Sequence, residues 1–269
     1  MKKNILAVIS YIKEIYNSKE LLFNFTSKEL KLKYRNSVLG FFWSFFNPVL
    51  QLLVYSLVFS TFMKNSIPNF TVYLLCGLLP WQFFQITIQG STSSIISNSN
   101  LVKKVYFPRE ILPLSLVFSN FVNFIITLVI LFFAILITGT HIGLPLIELP
   151  IVLFLLFLFT TGLALILSSL NVLYRDIQHF VEVIFMLWFY LTPIIYDVNR
   201  IQSPIITKYK FLFNLNPMAV ILDCVKDNLY YDSFADYRKL LVIALLDIVL
   251  IIGGLLLFRK IEVVFAEEI

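Results

Sequence analysis

The sequence predicts an all-α membrane protein: six transmembrane helices, an N-terminal amphipathic interface helix, and extracytoplasmic re-entrant helices between spans five and six. Three observations carry this prediction. Of 269 residues, 59% are hydrophobic and 14% charged, and the mean hydropathy is +0.88. An average soluble domain is about 25% charged, so this chain has too little polar surface to cover a globule. Six apolar runs approach the ~20 residues needed to cross a bilayer. Lys and Arg are also divided unevenly between the loops that these runs define. The composition excludes an ordinary soluble enzyme, a secreted disulfide scaffold and a disordered chain. Cys76 and Cys224 have no metal-site spacing and allow at most one bridge. The start, Lys2-Lys3 with an apolar run broken by Ser10, does not read as a secretory signal.

The expected spans are 41–63, 72–90, 111–138, 144–170, 177–196 and 240–258. The third and fourth are overlong, which implies tilt. The fifth is the least regular, with Glu182 near its start and Pro193 near its end. The patch 211–225 is too short to span and carries Asn214, Asn216, Pro217 and Asp223. A re-entrant or interfacial hairpin within 197–239 suits it better. Fourteen of the 21 Lys and Arg lie before residue 41, in the loops after spans two and four, or in the tail 259–269. That bias puts both termini in the cytoplasm.

Residues 1–40 read as an interface segment. Ile5, Val8, Ile9, Ile12, Ile15 and Tyr16 fall within about 120° of a helix, and Lys28, Lys31 and Arg35 share another face. Basic amphipathic helices of this kind lie along the membrane surface.

Polar residues inside spans are costly and face protein or water. Trp43, Asn47, Gln51 and Tyr55 mark span one; Gln82 and Gln85 mark span two; Phe185, Trp188, Thr192 and Tyr196 mark span five. Amides interleaved with flat rings suit a sugar chain, the amides bonding hydroxyls and the rings taking the C–H faces. The other reading is that the amides and hydroxyls hold helices together, and that the rings near span ends anchor at the interface. Asp247 is the one acid deep inside a span, and no span is Arg-rich, so the chain lacks the charges of an ion-coupled carrier or voltage sensor. No glycine run ends in the Gly-Lys-Ser/Thr of a P-loop. The energy source is therefore expected outside this chain. The loop after span two mixes apolar and basic residues in Asn100, Leu101, Val102, Lys103, Lys104, Val105, Tyr106, Phe107 and Arg109. Such a loop suits docking to a partner, with an ordinary positive-inside loop as the alternative. Arg175 and Asp176 are expected to brace the turn between spans four and five.

Four stretches make the chain recognisable: 34–59 (YRNSVLGFFWSFFNPVLQLLVYSLVF), KVYFPREILP at 104–113, YRDI at 174–177 leading to LTPIIY at 191–196, and LNPMAV at 215–220. With these the chain resembles the permease subunits of polysaccharide-exporting ABC transporters, the Wzm O-antigen and TagG/TarG teichoic-acid exporter group. The resemblance implies a homodimer of six-span subunits in the bacterial cytoplasmic (inner) membrane. It implies two copies of a separate cytoplasmic ATPase, which dock on the loop after span two and hold ATP and Mg. It also implies a channel that carries a lipid-linked glycan outward among membrane lipids. No cofactor, metal or nucleic acid is expected in the chain itself, and it is not expected to be an enzyme. A permease for lipids or drugs, or an ATP-independent channel or carrier, is the alternative.

Overall fold

The computed structural model describes residues 10–11, 13–34, 40–62, 67–198 and 210–268. Every regular element among them is helical. In chain order these are α1 (Lys19–Tyr34), α2 (Trp43–Phe62), α3 (Phe70–Ser97), α4 (Ser99–Lys104), α5 (Ile111–Thr138) and α6 (Leu149–Leu173). There follow α7 (Ile177–Leu191), α8 (Lys210–Leu215), α9 (Pro217–Leu229), α10 (Tyr237–Glu262) and α11 (Phe265–Glu268).

The local sequence accounts for the ends. Gly139 takes the left-handed conformation, φ 65°, that stops α5. Pro150 sits in the first turn of α6, where no amide donor is needed. Asn216 caps α9, and the Asp236 carboxylate accepts from the Arg238 amide at the start of α10.

Among the described residues four helices are long and apolar enough to cross a membrane: Phe70–Ser97, Ile111–Thr138, Leu144–Leu173 with its leading 3-10 turn, and Tyr237–Glu262. They coincide with the expected spans two, three, four and six. The expected first span becomes α2, a helix of 20 residues. The expected fifth span differs. Its helix, α7, has 15 residues and stops at Leu191, about 22 Å against a hydrocarbon core of about 30 Å. The cause is Pro193, which forces the preceding Thr192 into extended geometry, φ −103° and ψ 131°.

Helix α3 is the buried spine, with Val72, Leu74, Leu75, Cys76, Phe84 and Ile88 wholly enclosed. Helices α5, α6, α7 and α9 pack around it. Helix α10 lies along α6, and glycines let the backbones touch. A Cβ on Gly162 would stand 2.7 Å from Leu250 Cβ, and one on Gly254 would stand 3.0 Å from the Gly162 carbonyl.

Helix α9, in the expected re-entrant region, is almost entirely buried and is too short to cross a bilayer. Residues 199–209 of that region lie outside the described residues, as do Ile5, Val8, Ile9, Ile12 and Arg35 of the expected interface segment. The described part of that segment, α1, packs on α5. Its Leu21, Leu22 and Phe25 join a second apolar cluster with Val102, Phe107, Phe258 and Phe265. Cys76 and Cys224 are both buried free thiols.

Candidate functional site

The polar stripes of the first two spans meet. Trp43 and Asn47 of α2, Gln82 of α3, and Asn120, Asn123 and Thr127 of α5 line a groove of about 340 Å³. Gln51 is joined to it, since the Gln82 side-chain amide donates to the Gln51 carbonyl oxygen. Lys33, near the end of α1, stands at the groove's edge. Leu79, Phe83, Ile86 and Phe124 supply apolar wall between the amides. The arrangement offers donors and acceptors at intervals on a mostly apolar surface. That chemistry suits hydroxyl-rich, ring-shaped groups held by weak contacts.

The α5 contribution was legible and overlooked. Asn120, Asn123 and Thr127 follow the i, i+3, i+7 spacing of one helix face, within an otherwise strongly apolar run. Gln85 turns elsewhere, accepting from Trp81 Nε1 at 3.1 Å. The side chain of Tyr55 lies outside the described residues.

The expected span-five stripe does not join the groove. Phe185 is 2% exposed. It packs in a ring cluster with Trp81, Phe84 and Trp188, at centroid separations of 5.0 Å to Phe84 and 5.8 Å to Trp188. Trp188 Nε1 donates to Asn216 Oδ1 at 2.9 Å, and Asn216 Nδ2 donates to Thr192 Oγ1 at 3.0 Å. Thr192 is fully buried. Tyr196 lies beyond the helix end, its hydroxyl donating to the Tyr190 carbonyl at 2.8 Å. The helix expected to carry these four residues therefore ends at Leu191, and Phe185 and Trp188, on its helical part, look inward. Residues Val183, Ile184, Met186, Leu187 and Tyr190 form the exposed side of α7.

The loop after α3 is divided between anchors and a free tip. Val102 is 2% exposed and Phe107 is 9% exposed, both held in the second apolar cluster. Leu101, another residue of the expected docking loop, packs on that cluster too. Phe107 stacks on Phe25 of α1 with ring centroids 6.0 Å apart. Asn100, Lys103, Lys104, Val105 and Tyr106 remain exposed or partly so, with Tyr106 at 96%. Arg109 is held, its Nη1 donating to the Glu262 carbonyl at 2.7 Å.

Arg175 and Asp176 are exposed at the α6–α7 turn. The brace at that turn is Asn171 instead. Its Nδ2 donates to the Thr92 carbonyl of α3 at 3.0 Å, and its Oδ1 accepts the Gln178 amide at 3.1 Å. A buried amide between apolar neighbours was the available signal, and the charged pair a few residues on drew attention from it.

Toward the opposite end of α3, Tyr73, Asp197, Asp223, Lys226 and Asp227 border a polar cavity of about 310 Å³. Lys226 is 2% exposed; its ammonium donates to the Pro193 carbonyl and lies 3.8 Å from the Tyr73 ring centre. Burial lowers its pKa to about 8, and burial raises that of Asp227 to about 6. Among the described residues no group of three or more His, Cys, Asp or Glu could hold a metal ion.

Curated relatives match this chain over most of its length. An O-antigen export system permease protein, RfbA, of Myxococcus xanthus is 34% identical over 262 residues, 97% of this chain and all of the relative. One from Klebsiella pneumoniae is 34% identical over 254 residues, 92% of this chain and 94% of its own. The polysialic acid transport protein KpsM of Escherichia coli is 19% identical over 242 residues, 87% of this chain and 91% of its own. The ABC-2 type transporter family profile matches residues 20–230. With apolar helices of membrane-crossing length and relatives matched nearly end to end, this multi-pass membrane protein belongs to the ABC-2 type transporter family.

Proposed function

We propose that this chain is the membrane subunit of an ATP-driven exporter that moves a lipid-linked polysaccharide of O-antigen or teichoic-acid type across the cytoplasmic membrane. The observation that carries this reading is the 34% identity, over the full length of the relative, to a protein described as an O-antigen export permease. The groove between α2, α3 and α5 supports it. A translocating glycan needs many weak, repeated contacts, and Trp43, Asn47, Gln51 and Gln82 offer them on one surface.

In this reading α2, α3, α5, α6 and α10 are crossings, the fifth crossing is α7 continued by the largely buried, non-helical residues 192–196, and both termini face the cytoplasm, in keeping with the placement of the basic residues. The α8–α9 pair is the outer re-entrant hairpin. A second copy supplies the facing wall of the conduit, and the exposed apolar sides of α2 and α7 are the surfaces available to it or to lipid. ATP and Mg belong to a separate cytoplasmic subunit, present in two copies. Val105 and Tyr106 form the tip that enters it, while Val102 and Phe107 keep the tip attached to the permease.

The test is deletion of the gene in its host, followed by assay of surface polysaccharide and of lipid-linked glycan inside the cell. Loss of the first with accumulation of the second is expected. Normal surface polysaccharide, with altered lipid or drug efflux, would overturn the glycan reading. Restoration should need the wild-type chain and its ATPase together, and Asn47→Leu with Gln82→Leu should restore less export at equal membrane levels.

A further inference from the structure

Two arginines and three glutamates meet beside the exposed Val105–Tyr106 tip, where distant stretches of the chain converge. Arg259, near the end of α10, pairs with Glu14 of the N-terminal segment at 2.7 Å. It also pairs with Glu110, directly before α5, at 2.5 Å, and with Glu262 at 3.3 Å. Arg109 stands 3.9 Å from the Glu262 carboxylate, and its Nη1 donates to the Glu262 carbonyl at 2.7 Å. Glu110 is fully buried, and the Arg259 side chain is 17% exposed. A cavity of about 270 Å³ separates this cluster from Tyr106.

Enclosing charges is a poor route to stability, since desolvation offsets much of the attraction. What the arrangement supplies is direction. Apolar side chains slide past one another, whereas a guanidinium among several carboxylates is attracted to each of them and resists separation from any one. Here one guanidinium is hydrogen-bonded to the Glu14 carboxylate of the N-terminal segment and lies within ion-pair distance of Glu110 at the loop's end and of Glu262 of α10. Displacement of Arg109 and Glu110 is thereby passed to Glu14 and to α10 at once.

We propose that Arg259 is a positioning residue that couples the ATPase-docking loop to the N-terminal segment and α10, so that a push on the loop moves all three together. This rests on the docking role proposed above. Arg259 touches neither glycan nor ATPase in this scheme and acts through the loop.

The test uses the complete transporter, the chain with its ATPase subunit, reconstituted in vesicles. Co-purification, ATP hydrolysis and glycan export are measured for wild type, Arg259→Met, Arg259→Lys and Glu14→Gln. Arg259→Met is expected to keep assembly and hydrolysis within about twofold while export per ATP falls about tenfold. Arg259→Lys keeps the charge but not the fork, and should fall between. Glu14→Gln removes one arm at a partly exposed site and decides the matter if Arg259→Met fails to fold: a reduced export per ATP supports the proposal. Unchanged export per ATP in a folded Arg259→Met, or in Glu14→Gln where that variant must decide, overturns it. So does a loss of export that only tracks loss of complex. A wild-type chain that binds no ATPase overturns the docking reading as well, whereas normal coupling in both wild type and Arg259→Met overturns this proposal alone.

Discussion

Replacing Asn216 by Ala tests whether the α7 aromatic stripe is a structural wall. Asn216 Oδ1 accepts from Trp188 Nε1 at 2.9 Å and from the Met218 amide at 3.1 Å, and its Nδ2 donates to Thr192 at 3.0 Å. Loss of the helix cap costs about 1 kcal/mol. The half-buried indole N–H left without a partner costs about 1–3 kcal/mol more. The Thr192 hydroxyl keeps its bond to the Trp188 carbonyl at 2.7 Å, so it adds little. The total is about 2–4 kcal/mol, which corresponds to a fall of about 4–16 °C in melting temperature for a domain of this size. The assay is thermal unfolding of purified protein in detergent, with Asn214→Ala, an exposed neighbour, as control. Asn216→Asp keeps the acceptor and the cap and should lose less than Asn216→Ala. Trp188→Ala should also lose stability, as a core ring does. The reasoning is refuted if Asn216→Ala melts with Asn214→Ala, or if Trp188→Ala is stable yet selectively defective in export.

Val105→Asp with Tyr106→Asp should leave the chain folded, because both side chains are exposed, and should reduce ATPase co-purification at least tenfold, roughly 1.4 kcal/mol; unchanged complex yield on affinity purification would contradict the docking tip. Gly162→Val should destabilise the α6–α10 contact by about 1–3 kcal/mol through overpacking, read as a lower melting temperature, whereas Gly253→Val, whose Cβ would meet nothing within 4 Å, should not. Lys226 gives a pH signature. Its folded pKa, about 8, lies below its ordinary 10.5, so between those values the unfolded chain holds the extra proton and stability rises with pH. Melting temperatures from pH 8 to 10 should climb in wild type and climb less in Lys226→Met; equal slopes would remove Lys226 from the account.

Much of this protein is readable along the chain. The long apolar runs at 72–90, 111–138, 144–170 and 240–258 became helices because hydrocarbon leaves the backbone no partner except itself. Pro193 and Pro217 marked breaks for the same covalent reason that proline always does: its ring constrains the residue before it and removes a donor. The amides Asn47, Gln51 and Gln82 stood out because so few polar groups surround them.

Which way each face turns was settled only by the tertiary structure. Helical spacing shows that Phe185 and Trp188 share a face, but not that this face meets Trp81 and Phe84 while Met186 and Tyr190 look away. Hydropathy separates inside from outside only where the two sides differ; both sides of α7 are apolar, and packing shape decides. The Arg259 cluster was hidden for a related reason. Glu14, Glu110 and Arg259 are far apart in sequence, and each alone reads as an ordinary surface charge near a span end. Only the convergence of the N-terminal segment, the loop after α3 and α10 brings the three within ion-pair distance, and no local pattern encodes that meeting.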